Sequence, residues 1–598
     1  MGRMAKTALS VALILLGITL LHHQRRTFNA ISVLNLKNGA QPGEFEWEKI
    51  PGLKKLKWHA CYEERECARL LVPLNYSDPE GGHYNLALIR KPAVVPPESG
   101  FYRGPVLFNP GGPGGSGVDM IRGPRGDQFS AILGPQFDIL SFDPRGIARS
   151  SPRASFFGTD LERELWNQGV RLSNASSSLG RTWARARVVN QLAAENDDGY
   201  LRHINTENTA RDMLSIVEAH GRSKIQYWGF SYGSILGATF ASIFPDKIER
   251  LIIDGVADSE NYYATLWSNN LIDTEKVMDS FYTGCHSAGV DGCAFWAPTP
   301  DAIRQNLTTL LDTLSTNPLP MRTNSGYGLL DLDMVRSSLF TALYSPYAAF
   351  PTIAQGLAEL AAGSGKLLFD RMNPPLYECT CNTEQRDVAS VQDSQAAVMC
   401  NDGDDIPDDL KSTEEYYKMM QETSPWGDMW ANIRLSCIGW PKFPKDHFQG
   451  PFVANTSHPI LLIGNTADPV TPLWAANKMS KGFEGSVVLT QDSAGHCSIS
   501  APSVCTQKYV RDYFIDGTLP EPGTVCQPVT QPFPSAETRV GYASEQAILS
   551  ENMAAEDKDI FEAIFELSKN PGVAHFPSFS SPSGFSGGPM TMNTPCSV

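Results

Sequence analysis

A strand-like segment, Ile225 to Gly229, runs into a helix-like one, Gly233 to Phe244, through a connection as short as Phe230-Ser231-Tyr232. Glycine two residues before and two after the apex lets neighbouring backbone pass without side-chain clashes, and so permits a turn this tight. Ser231 at the apex would project its hydroxyl from the end of a sheet. A serine hydroxyl is a poor nucleophile near neutral pH. A catalytic reading therefore requires a histidine base and a carboxylate that orients it, usually following in the order Ser, Asp, His.

Both partners are available downstream. Pro459 to Asn465 reads as a buried parallel strand and leads into Thr466-Ala467-Asp468-Pro469-Val470-Thr471-Pro472, placing Asp468 at the carboxyl edge of the sheet as the expected orienting acid. A further strand, Ser486 to Thr490, leads through Asp492-Ser493-Ala494-Gly495 to His496, the expected general base. Asp468 also suits a plain turn former before the helix near Pro472. Asp254, closing the strand Leu251-Ile-Ile-Asp254, is a competing acid. It opens a long interruption of the strand pattern, whereas Asp468 lies one strand before His496. His203, His220 and His458 lack a glycine-containing loop after a strand.

Acyl transfer needs donors for a developing oxyanion. After the strand Pro105 to Phe108 comes Asn109-Pro110-Gly111-Gly112-Pro113-Gly114-Gly115-Ser116-Gly117, whose glycines allow backbone to approach a substrate closely. The amides of Tyr232 and Gly112 are the expected oxyanion donors. A flexible linker is the bland alternative. A phosphate cradle is disfavoured by the missing Gly-Lys-Ser/Thr ending.

Four segments together carry a resemblance: the Asn109 to Gly115 loop, Asp143-Pro144-Arg145-Gly146 with Arg149-Ser150, Gly229 to Gly233, and the Asp468 and His496 loops. They resemble the tripeptidyl aminopeptidase group of α/β-hydrolases, related to the proline iminopeptidases, in which histidine usually begins the loop where Asn109-Pro110 stands here. The likeness runs from about Trp58 to Cys526 and includes Cys437-Ile-Gly-Trp-Pro441. One departure is Ile147-Ala148-Arg149, where the family more often has glycine before the arginine. The resemblance implies an α/β fold with a mostly parallel sheet, helices on both faces and a large helical cap. It also implies a carboxylate in the cap to meet a substrate ammonium. Asp402, in Ala397-Val-Met-Cys400-Asn-Asp402, is the residue expected there, although a solvated loop also accounts for the acidic run from Asp402 to Glu415.

Strand-like and helix-like segments alternate from about Ala68 to Asp258 and resume at Pro459, the pattern of a parallel sheet with an insertion. The expected divisions are a signal peptide or signal anchor over 1–30, the first part of the core over 50–258 and a mainly helical cap over 259–457. The second part of the core follows over 458–530, then a partly disordered extension over 531–598. Within the cap, Leu330 to Ser337, Leu339 to Tyr344 and Ile353 to Leu368 have helical spacing. Its tryptophans and Tyr416-Tyr417 suit either a pocket lining or core. Beyond Cys526, Ser544 to Ser568 is helix-like and Pro577 to Gly588 is a low-complexity tail.

Formal net charge of -16 argues against nucleic acid as a partner, which would need a basic face. No His-Glu-x-x-His or similar spacing appears, so neither a metal nor another cofactor is expected. Arg3 and Lys6, the apolar stretch Ala8 to Leu21 and then His22-His23-Gln24-Arg25-Arg26 form a secretory-pathway signal, with secreted and membrane-anchored forms both open. Sequons beginning at Asn75, Asn174, Asn306 and Asn455 agree with a lumenal or extracellular address, as do twelve cysteines. The pairs expected from proximity are Cys61 with Cys67, Cys285 with Cys293 and Cys505 with Cys526, while Cys497 braces the histidine loop. The expectation is a serine exopeptidase acting on short peptides with free N-termini. An esterase or thioesterase of a small metabolite stays open, as does a silent hydrolase-like binding protein. Oligomeric state is not readable.

Overall fold

The computed structural model describes residues 45–167, 176–372, 391–533 and 553–570. The chain divides after Glu46, and the unit beginning at Trp47 is built on a ten-stranded sheet. In chain order the strands are β1 (His59–Cys61), β2 (Arg65–Asn75), β3 (Asp78–Lys91), β4 (Gly104–Asn109), β5 (Phe137–Asp143), β6 (Ile225–Phe230), β7 (Ile248–Asp254), β8 (Leu319–Thr323), β9 (Gly326–Leu330), β10 (Leu461–Ala467), β11 (Val487–Ala494) and β12 (Val525–Cys526). The large sheet runs β1-β2-β3-β5-β4-β6-β7-β10-β11-β12. β1 to β3 form an antiparallel edge that joins β5, and every pairing from β5 across to β12 is parallel.

β4, β5 and β6 are buried at every position, as expected of parallel strands covered on both faces. The chain leaves β4 for β5 on one side and returns to β6 on the other. Connections diverge at such a reversal, and the crevice they leave at the carboxyl ends is where open α/β sheets receive ligands.

Between β7 and β10 the described residues are mainly helical, with β8 and β9 adding an antiparallel hairpin. The hairpin takes Leu330. The helix expected from that residue begins at Leu332 instead, after Asp331 caps it by accepting from the Met334 amide. The expected run Ile353 to Leu368 is likewise broken: the helix Pro346–Ala361 ends before Gly363, at φ +90°, and a second helix covers Lys366–Met372. The cap aromatics act as core. Trp267, Trp426, Trp430, Trp440, Tyr416 and Tyr417 are buried, with Trp430 Nε1 donating to Trp267 O and Tyr416 Oη to Leu266 O.

Disulfides join Cys61 to Cys67, Cys285 to Cys293 and Cys505 to Cys526, and a fourth joins Cys400 to Cys437. That last pair lies 37 residues apart and brings together two cap segments that proximity in sequence does not connect. Cys497 is a buried free thiol, and Cys379, Cys381 and Cys596 lie outside the described residues. Asn306 and Asn455 are exposed, Asn75 is half-buried at the end of β2, and Asn174 lies outside the described residues. So do the apolar N-terminal stretch and the low-complexity tail. Among the described residues no helix is long and apolar enough to cross a membrane. The helix expected from Ser544 is described only as Ala555–Lys569, which packs on Pro124–Leu133 and Val504–Asp516.

Candidate active site

Ser231 stands between the end of β6 and the helix Tyr232–Ile243, with φ 59° and ψ -119°. A non-glycine residue holds that conformation only when its surroundings impose it, and such strain clusters at functional positions. The imposed geometry is tight. A Cβ at Gly229 would lie 2.2 Å from Tyr227 Oη and 2.5 Å from Gly233 O, so no larger residue fits there. The Ser231 amide donates to Asp254 O at 2.9 Å, and Ser231 O accepts from both the amide and the hydroxyl of Ser234.

Asp468 follows β10 and His496 follows β11, so two adjacent parallel strands deliver the pair to one edge. His496 Nδ1 lies 3.0 Å from each Asp468 oxygen and 3.1 Å from Thr471 Oγ1. A carboxylate only accepts, so Nδ1 carries the proton and the neutral ring keeps its lone pair on Nε2. Nε2 is buried and has no hydrogen-bond partner among the described residues. Asp468 also accepts from the amides of Val470, Thr471 and Cys497, at 3.0, 2.8 and 3.0 Å, which fixes the carboxylate plane. The His496 amide donates to Tyr344 O at 2.9 Å, and the Tyr344 ring stands edge-on to the imidazole. Asn465 Nδ2 donates to Gly495 O and Cys497 O, tying the histidine loop to β10.

The competing acid, Asp254, has other partners. Its carboxylate accepts from the Ser498 amide and hydroxyl and from Trp228 Nε1. Complete burial pushes its pKa up to about 6, against the pull of the Ser498 donors. Burial likewise pushes the Cys497 thiol well up, the opposite of an activated nucleophile.

The glycine loop after β4 lies against the elbow. A Cβ on Gly111, at φ +87°, would fall 2.4 Å from Phe230 O and 3.2 Å from the Tyr232 amide, so only glycine permits the approach. The Gly111 amide is spent on Asn109 Oδ1 at 2.9 Å, and Gly112 follows at φ +112°. Tyr232 opens its helix, where an amide has no intrahelical acceptor.

The Asp143-Pro-Arg-Gly segment is a brace. Asp143 accepts from Ser116 Oγ and from the amides of Val118 and Arg149, anchoring the far end of the glycine loop. Arg145 is fully buried in a bidentate pair with Asp212. Ala148, where the resemblance favours glycine, takes φ +42°, which accounts for that preference.

Asp402 departs from its expected place before a substrate ammonium. It is fully buried, with Oδ1 accepting from the Thr206 amide and Oδ2 from Thr206 Oγ1 and Tyr262 Oη. Thr206 Oγ1 in turn meets Tyr232 Oη at 2.5 Å, so Asp402 supports the elbow's tyrosine from behind. The rest of the acidic run, Asp404 to Glu415, is exposed, and Asp409 caps the helix Leu410–Thr423. A cavity of about 250 Å³ opens under the cap, lined by Phe156, Phe157, Trp166 and Met429 and by the carboxylates Asp393 and Asp428. Those carboxylates are paired with Arg163 and Arg336. Gln395 also lines the cavity and sits against Gly114, so cavity and glycine loop share a wall.

Sheet order, a serine elbow after a central strand, and an Asp–His pair after two later strands are the architecture of the α/β-hydrolase fold, and the chain has that fold. Residues 104–289 match the family described as alpha/beta hydrolase fold, and residues 422–526 match that described as TAP-like protein. Its relatives include "Serine protease Hip1" of Mycobacterium tuberculosis, 28% identical over 77% of this chain and 87% of that protein. "Tripeptidyl aminopeptidase" of Streptomyces lividans is 26% identical over 78% and 85%, and "Carboxylesterase B" of M. tuberculosis is 26% identical over 79% and 90%.

Thr471, Ser498 and Tyr344 contact the site without any sequence signal beyond their nearness to Asp468 and His496 or, for Tyr344, the end of a helical run. Their parts depend on how separate loops meet.

Proposed function

We propose that this chain is a serine exopeptidase of the secretory pathway that removes short peptides from free N-termini through an acyl-enzyme. Ser231 Oγ attacks the scissile carbonyl as His496 Nε2 takes its proton. Asp468 holds the imidazolium, and the Tyr232 and Gly112 amides receive the oxyanion. The same Nε2–H then protonates the leaving amine, and water reverses the sequence to free the acyl group. The observation that carries this reading is the His496 ring, held by Asp468 at Nδ1 and without a partner at Nε2 among the described residues. The peptidase-named relatives support a peptide substrate, and four disulfides support an oxidising compartment.

The relative named as a carboxylesterase favours an ester as the second reading, since the same machinery cleaves both bonds. The test compares wild type and Ser231→Ala on aminoacyl and tripeptidyl amides, free or acetylated at the N-terminus, and on a simple acyl ester. Serine-dependent cleavage confined to free-amine peptides is expected, with Ser231→Ala losing on the order of a thousandfold or more. Cleavage of the ester alone would transfer the function to the second reading.

A further inference from the structure

We propose that Asp254 is a positioning residue that sets the histidine loop at its distance from the serine elbow. The inference rests on Ser231 and His496 being nucleophile and base. Asp254 ends β7, paired in register with Phe230 of β6 on one side and Ile463 of β10 on the other. Its two ends grip different loops. The main-chain carbonyl accepts the Ser231 amide at 2.9 Å and lies 3.6 Å from Cys497 Sγ. The carboxylate accepts the Ser498 amide at 2.8 Å and the Ser498 hydroxyl at 2.5 Å, and Trp228 Nε1 donates to it at 3.2 Å. One residue thus bonds the nucleophile's own amide and the residue two past the base.

The loop is closed from both sides. Asp468 holds His496 and Cys497, and Asp254 holds Ser498, so two carboxylates grip three consecutive residues. Cys497 turns between them at φ 62°. Below it, a Cβ at Gly255 would lie 2.4 Å from Cys497 Sγ, so the loop is seated on the end of β7 with no space to settle elsewhere. Asp468 orients the ring, and Asp254 fixes where the loop carrying it stands. Asp254 bonds to neither reacting group's side chain, so its effect passes through Ser498 and the Ser231 backbone.

The test uses the full chain and two readouts: kcat and KM on a tripeptidyl amide with a free N-terminus, and the rate at which a fluorophosphonate labels Ser231. Asp254→Ala should lower kcat and labelling about 10- to 100-fold, the cost of a misplacement near 1 Å, with KM within about twofold of wild type. Asp254→Asn keeps an acceptor for the Ser498 amide and should stay within about fivefold of wild type. Ser498→Ala keeps the carboxylate, loses one of its two loop bonds and should fall between them, so it decides the matter if Asp254→Ala does not fold. Unchanged labelling in Ser498→Ala and Asp254→Ala overturns the inference, as does an Asp254→Asn enzyme no better than Asp254→Ala. Labelling that persists in Ser231→Ala would instead overturn the nucleophile assignment beneath it.

Discussion

Asp468 and Asp254 are both completely buried, both at the ends of neighbouring strands and both bonded into the loop that carries His496, yet they serve it differently. Asp254 is the last residue of its strand, in register with β6 and β10, and its side chain reaches only what packs directly against the strand end. Asp468 lies one residue beyond β10, in a turn whose own amides at Val470 and Thr471 aim its carboxylate toward the next loop. A displacement of one residue past the ladder separates an acid that meets an imidazole from one that meets a serine. Burial and charge alone do not distinguish them.

The largest effect that tests this contrast is on turnover. Asp468→Asn should lower kcat on the order of a thousandfold or more by disfavouring the tautomer with its lone pair on Nε2, while Asp254→Asn loses only the severalfold of a loosened support. Comparable losses from both would erase the distinction, and a reversed order would move the acid to β7.

A smaller effect concerns stability. Because the folded pKa of Asp254 is raised to about 6, the folded chain keeps a proton between roughly pH 4 and 6 that the unfolded chain has released. Raising pH through that window therefore costs stability, ~3 kcal/mol in full once the pH exceeds the folded value. Asp254→Asn should flatten this part of a plot of Tm against pH. A variant curve parallel to wild type would show that the charged carboxylate is accommodated without penalty.

The contrast also marks what can be read from sequence. Strand ends are legible because β6 and β10 are largely apolar and each meets a glycine, Gly229 or Gly464, shortly before it ends, which locates Ser231 and Asp468 just beyond. The serine elbow and the parallel core follow from the same local signals. The hairpin within the cap, the Cys400–Cys437 bridge and the bonds of Ser498 are set by segments that meet only in the folded chain. Helical periodicity also continues through Gly363, where the backbone turns, because apolar spacing does not register a change of direction.

Asp402 extends the comparison into the cap and yields the smallest expected effect. A carboxylate that pairs with a substrate ammonium needs an oxygen facing the substrate, and both Asp402 oxygens are turned onto Thr206 and Tyr262. Burial raises its pKa as well, with His447 acting in the opposite direction, so it is poorly suited to present charge outward. Asp402→Asn keeps an acceptor for the Thr206 amide and should leave the ratio of kcat/KM for free-amine over acetylated peptides within about twofold of wild type. Its absolute rate should fall modestly through Thr206 and the Tyr232 hydroxyl. A collapse of that ratio by tenfold or more would mean that the carboxylate turns outward when a peptide binds, making Asp402 a contact of the substrate rather than of the elbow.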